Sequence, residues 1–102
     1  MTPEMNKFLS ETIKNNRVVL FMKGSKKAPM CGYSGYVCQV LNKLSIDFFD
    51  VDVLTNPELR EAIKEYSAWP TLPQLYINNE FVGGADIVKD LYESKELEKI
   101  LA

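Results

Sequence analysis

A chain of 102 residues, 46% hydrophobic and 25% charged, has room for one domain with its own core and lacks the composition of a disordered or fibrous protein. Its net charge of −2, with 12 basic and 14 acidic residues mixed along the sequence, offers no basic face for phosphate backbones, so nucleic acid is not an expected partner. The longest apolar run, Val18 to Met22, falls far short of the roughly 20 residues of a membrane-spanning helix, and no membrane association is expected.

Thr2-Pro3-Glu4 opens a first helix with an N-cap, a proline at the first helical position and an acidic first turn. Met5, Phe8, Leu9, Thr12 and Ile13 share its inner face, and it ends near Asn15-Asn16. This segment lacks the basic start and apolar stretch of a signal peptide, so a cytoplasmic bacterial location is expected, with a mature organelle protein as the alternative. Val18 to Met22, short, β-branched and aromatic, reads as a fully buried strand. The polar stretch from Lys23 to Ser34 then sets Cys31 at a strand-to-helix junction, and Val37, Cys38, Val40, Leu41 and Leu44 repeat at helical spacing. Ile46 to Val53 alternates as a strand should.

Asn56-Pro57-Glu58 starts a third helix with Leu59, Ala62, Ile63 and Tyr66 facing inward, and Trp69 to Pro73 breaks it. Gln74 to Ile77 and Glu80 to Val82 are short strands around the tight turn Asn78-Asn79, and Gly83-Gly84 ends the sheet. Asp86 caps a helix carrying Ile87, Val88 and Leu91, and Ser94 caps a last one carrying Leu97, Ile100 and Leu101. No repeat or linker interrupts residues 1–102, which read as a single domain. Two parallel strands joined by a crossover and followed by an antiparallel hairpin make one four-stranded mixed β-sheet flanked by helices, an α/β thioredoxin arrangement.

Cys31 is the candidate reactive group. Unpaired amides at a helix N-terminus and nearby lysines favour its thiolate, which can attack a disulfide or hold a metal. Two cysteines seven positions apart form no disulfide framework, and a reducing compartment is expected. With no histidine in the chain, mixed Cys/His zinc sites and His-assisted nucleophiles are excluded within one copy. Cys38, about 10 Å from Cys31 by helix rise, is out of disulfide range and reads as apolar filler.

Several segments in order resemble the monothiol glutaredoxins, whose active site reads Cys-Gly-Phe-Ser. They are Met22-Lys23-Gly24, the long loop to Pro29, Cys31-Gly32-Tyr33-Ser34, Trp69 to Leu75, and Val82-Gly83-Gly84-Ala85-Asp86, together spanning nearly the whole chain. Tyr33 replaces the usual Phe, and Ala85 stands where many members carry a second cysteine.

The resemblance implies a glutathione site. Lys23 would approach both the Cys31 sulfur and the glycine carboxylate of glutathione, and Arg60 would pair with that carboxylate, with Lys64 a weaker auxiliary. Leu72 would offer backbone hydrogen bonds ahead of a cis Pro73. Gly83 and Gly84 would let the backbone approach the ligand, and the amides of Ala85 and Asp86, with the Asp86 side chain, would hold the γ-glutamyl end. Trp69 would pack beside the site and Thr71 would orient its loop.

The resemblance also implies a [2Fe-2S] cluster held by Cys31 of two copies and two glutathione thiols in a homodimer. Gly32, Tyr33, Gly35 and Tyr36 are candidates for the dimer contact. An iron-sulfur carrier serving apoproteins is the first expectation. A glutathione-dependent oxidoreductase with Cys31 as nucleophile is the alternative, and a cluster-bridged complex with a BolA-like protein is an added role. Ser34 takes the place of a resolving cysteine, so a cycle of either kind uses one protein thiol.

Overall fold

The computed structural model describes residues 1–102. Helix α1 (Pro3–Asn15) begins where the Thr2 hydroxyl accepts the Met5 N–H at 3.1 Å, and it buries Leu9 and Ile13. Strand β1 (Val18–Met22) runs at the centre of a four-stranded sheet, and all five of its residues are buried. β1 pairs in parallel with β4 (Phe49–Asp52) and antiparallel with β5 (Gln74–Ile77), and β6 (Glu80–Gly83) closes the far edge.

Side chains alternate across a strand, so β1 feeds two cores. Val18, Leu20 and Met22 join the inner faces of α2 (Gly32–Lys43), α4 (Ala85–Glu93) and α5 (Glu96–Leu101). Val19 and Phe21 join α1 and α3 (Pro57–Ser67) on the other face. The expected thioredoxin-type arrangement of a mixed sheet between helices is what the chain adopts.

Local signals placed most element ends. Asn56 caps α3 by accepting the Glu58 and Leu59 N–H groups at 2.9 and 3.3 Å. Asn78 and Asn79 both take positive φ, 52° and 66°, as a two-residue hairpin turn requires.

Other expectations need correction. The strand expected from Ile46 to Val53 is confined to β4, because the Asp52 carboxylate accepts the Leu54 N–H at 2.9 Å and turns Val53–Thr55 into a 3-10 turn. Gly84, and not Asp86, is the N-cap of α4, with Asp86 in the first turn. Ser94 is the C-cap of α4, and α5 starts after Lys95. Phe8, Ile87 and Ile100, expected inside, are exposed because their helices pack through narrower stripes centred on Leu9 and Ile13, Val88, and Leu97 and Leu101. The approach to Cys31 is itself folded, as a small ladder of β2 (Gly24–Ser25) with β3 (Ala28–Pro29). No helix is long and apolar enough to cross a membrane.

Candidate functional site

Cys31 is the N-cap of α2, in extended backbone conformation, and its carbonyl accepts the Gly35 N–H at 2.9 Å. Its thiol is half-buried and its pKa lies below the ordinary thiol value. The backbone N–H of Ser34 is the main cause. Partial burial opposes it, and the Tyr33 N–H, the Lys23 charge and the Ser34 hydroxyl add to it in turn. The helix start therefore does most of what the sequence assigned jointly to helix and lysines. Lys26 is occupied elsewhere: its ammonium donates to the Phe48 carbonyl at 2.7 Å, lies 3.6 Å from Asp47 and sits 5.0 Å over the Phe48 ring.

The loop that presents Cys31 is pinned from behind by two acids of β4. Asp52 accepts the Gly24 N–H at 3.0 Å, and Asp50 accepts the Lys26 N–H at 2.8 Å. Ser34, fully buried, accepts the Lys23 N–H at 3.1 Å, and the Lys23 carbonyl accepts the Met30 N–H at 2.9 Å. Gly24 is required here: its φ is 89°, and a Cβ would lie 2.5 Å from the Ala28 carbonyl oxygen. Sequence reasoning missed Asp50 and Asp52, whose alternation in Phe49-Asp50-Val51-Asp52 reads simply as a half-exposed strand.

A cleft of about 470 Å³ opens beside this loop. Lys23 from the end of β1, Arg60 and Lys64 from α3, Leu72 from the loop before β5, and Ala85 and Asp86 from the start of α4 all line it. Arg60 makes no ion pair, and its Nε is buried without a hydrogen-bond partner. Lys23 is likewise free of ion pairs, whereas Lys64 is held by Glu61 at 3.1 Å. Two uncompensated cations lining one cleft suit it to an anion. α4, whose first residues also line the cleft, begins without a side-chain cap, leaving its first amides available.

The Leu72-Pro73 peptide bond is cis, and Leu72 makes none of the loop and turn backbone hydrogen bonds. Trp69 and Thr71, expected beside the cleft, line it directly. Both glycines sit close against the protein: a Cβ on Gly84, which lines the cleft, would meet the Trp69 indole Nε1 at 3.2 Å and the Pro73 carbonyl at 3.3 Å, and one on Gly83 would overlap Ile87.

Cys31 itself borders a neighbouring shallow hollow with Met30, Gly32, Gly35 and Tyr36. Tyr33, 67% exposed, lines the main cleft, and Lys23 connects the two by lining the cleft while acting on the Cys31 sulfur. Cys38 is buried, with its sulfur 3.8 Å from that of Met22, as core filler should be. Nowhere do three His, Cys, Asp or Glu side chains converge.

Residues 18–82 match the glutaredoxin family model. The chain is 61% identical over 95 residues to a probable monothiol glutaredoxin 2 of Rickettsia conorii, covering 93% of this chain and 89% of that protein. The solution structure of reduced poplar apo GrxS14 is 45% identical, with a TM-score of 0.84 over 98% of this chain and 95% of the other. A buckwheat glutaredoxin-glutathione complex is similar in fold, with 20% identity, a TM-score of 0.83 and 99% and 94% coverage.

Proposed function

We propose the following for a chain that belongs to the glutaredoxin family and, by its Cys31-Gly32-Tyr33-Ser34 segment, to the monothiol members: it binds glutathione in the cleft and carries a [2Fe-2S] cluster between two copies for delivery to other proteins. The observation that carries the glutathione reading is the unpaired Arg60, which lines one cleft together with Lys23 and the uncapped start of α4. Glutathione has carboxylates at both ends. The glycine carboxylate fits Lys23 and Arg60, the γ-glutamyl carboxylate fits the Ala85 and Asp86 amides, and Asp86 suits the α-ammonium. The peptide between them has the free backbone of Leu72 to bond, as an added strand does. Pro73, Gly83 and Gly84 support these walls.

The cluster is cargo. Four thiolates are its usual donor set, and one copy supplies one, from Cys31. A second copy and two glutathiones complete the set, with a two-fold axis near the Cys31 hollow. The low thiol pKa fits this role, since the thiolate is the ligand form. Because half the ligands are exchangeable small molecules, delivery to an apoprotein, or sharing with a BolA-like protein, proceeds by thiol exchange.

The same lowered pKa favours a second reading, a monothiol oxidoreductase. In it the Cys31 thiolate attacks the glutathionyl sulfur of a mixed disulfide and expels the substrate thiolate, which takes a proton. A second glutathione thiolate then attacks the Cys31-glutathione disulfide, giving glutathione disulfide and restoring Cys31. Ser34 offers no thiol to compete with this step.

Anaerobic reconstitution with iron, sulfide and glutathione separates the two. A glutathione-dependent coloured dimer, lost in Cys31→Ser, supports the carrier. A colourless monomer that rapidly reduces glutathione mixed disulfides overturns it in favour of the oxidoreductase.

A further inference from the structure

Trp69, Pro70, Thr71 and Leu72 form one wall of the cleft, yet they belong to no helix or strand. Pro70 and Pro73 have no N–H to donate, and the backbone is tied at its start, where the Trp69 N–H reaches the Lys64 carbonyl at 3.2 Å and the Ser67 hydroxyl at 3.1 Å. Beyond Trp69 the loop is held by Gln74. Its amide nitrogen donates to the Trp69 carbonyl and to the Thr71 carbonyl, both at 3.2 Å. Its amide oxygen accepts the Tyr76 hydroxyl at 3.4 Å.

Gln74 is fully buried and is one of two polar residues in the core, the other being Ser34. It stands in β5 opposite Phe21 of the central strand, so it is anchored in the sheet. Two carbonyls on one side and a phenol on the other permit a single orientation of the amide, with both of its hydrogens used. Tyr76 is packed between the rings of Phe21 and Phe81, at 5.7 and 5.3 Å, and burial pushes its pKa up to about 12, so the phenol stays protonated and donating. Phe81 in turn packs against Trp69 at 5.7 Å.

We propose that Gln74 is a positioning residue for the ligand of the cleft: from the buried sheet it grips the Trp69 and Thr71 carbonyls and so holds the Trp69 to Leu72 wall in binding shape, while Tyr76 locks its amide. This rests on the reading of the cleft as a glutathione site. A side chain that donates to two carbonyls of a loop whose only other backbone ties are at the Trp69 N–H acts on affinity, through the wall, and leaves the sulfur chemistry in the neighbouring hollow to the amides of Ser34 and Tyr33.

Trp69 is the single tryptophan of the chain, so its fluorescence reports the wall directly. Reduced glutathione is titrated into the full-length wild type, Gln74→Leu and Tyr76→Phe, with circular dichroism confirming the fold and the pH profile of Cys31 alkylation measured on each. Gln74→Leu is expected to weaken binding about tenfold and Tyr76→Phe about threefold, on the scale of two and one lost hydrogen bonds, with the Cys31 profile unmoved. If Gln74→Leu does not fold, Gln74→Met, of nearly the same length, carries the same expectation. Variant affinities within twofold of wild type overturn the proposal, as does a parallel shift of the Cys31 profile, which marks general loosening. Absence of saturable binding by the wild type overturns the glutathione reading itself, and this inference with it.

Discussion

Cys31 and Cys38 lie two turns apart on the same helix, and their thiol pKa values are shifted in opposite directions. At the N-terminal end of α2, the Ser34 amide foremost, with the Tyr33 amide and Lys23, lowers the Cys31 pKa against the effect of partial burial. In the middle of α2, burial raises that of Cys38, helped by the charge of Asp50 and opposed by Lys26. The helix that frees amides at its start uses them up internally one turn later. Reactivity in this protein is thus a property of position along a helix, and the residue type is shared.

The largest expected effect is on labelling. Iodoacetamide should modify native Cys31 at least about a thousandfold faster than Cys38, because one thiol is accessible with its pKa lowered and the other is buried with its pKa raised. Peptide mass spectrometry reads the ratio, and comparable labelling would erase the contrast. Cys31→Ser should leave a folded chain with no fast-reacting thiol.

Gly24→Ala attacks the loop that keeps the two sites different. With its new Cβ about 2.5 Å from the Ala28 carbonyl oxygen, the β2–β3 ladder must shift, and a stability loss of about 3 kcal/mol is expected in urea melts. The Cys31 pKa should rise toward that of an ordinary thiol in the same variant. Cys38→Ser places a hydroxyl beside the Met22 sulfur in the core and should cost about 1–2 kcal/mol in urea melts, while leaving the Cys31 alkylation rate unchanged.

The smallest change sharpens the electrostatics. Lys23→Ala removes a minor contributor to the Cys31 shift, so alkylation on the acid side of its pKa should slow about threefold, a factor worth about 0.6 kcal/mol. An unaltered rate would assign the whole shift to the amides. The sign of the pH dependence differs between the two thiols. Cys31 is depressed in the folded state, so its contribution to stability is present above the unfolded thiol pKa and lost as pH falls through the folded value. Cys38 is raised, so its contribution is full below the unfolded value and lost as pH rises through the folded one.

Much of this site is legible in the sequence. Lys23, Arg60, Leu72, Ala85 and Asp86, expected around one ligand, line one cleft, and the expected cis peptide precedes Pro73. The glycine pair marks a place of close approach, and the structure shows one set of its neighbours, Trp69, Pro73 and Ile87, which a Gly-Gly dipeptide by itself does not name. Proximity in sequence is a poorer guide to charge: Lys26, five positions from Cys31, is carried by the β2–β3 turn to Phe48 and Asp47.

The sequence by itself determined the starts of α1 and α3 and the hairpin turn, because caps, prolines and turn residues act within three or four positions: Thr2 on Met5, Asn56 on Glu58 and Leu59, Asn78-Asn79 on their own hairpin. It also determined that Cys31 would meet the free amides of a helix. Only the tertiary structure decided that Arg60 would stand without a counterion, that Asp50 and Asp52 would pin a loop from 24 to 28 positions away, and that Gln74 would turn inward to grip the Trp69 loop. Burial and long-range hydrogen bonding depend on what the sheet brings together, and a linear pattern of polar residues carries no record of which of them will share a neighbour.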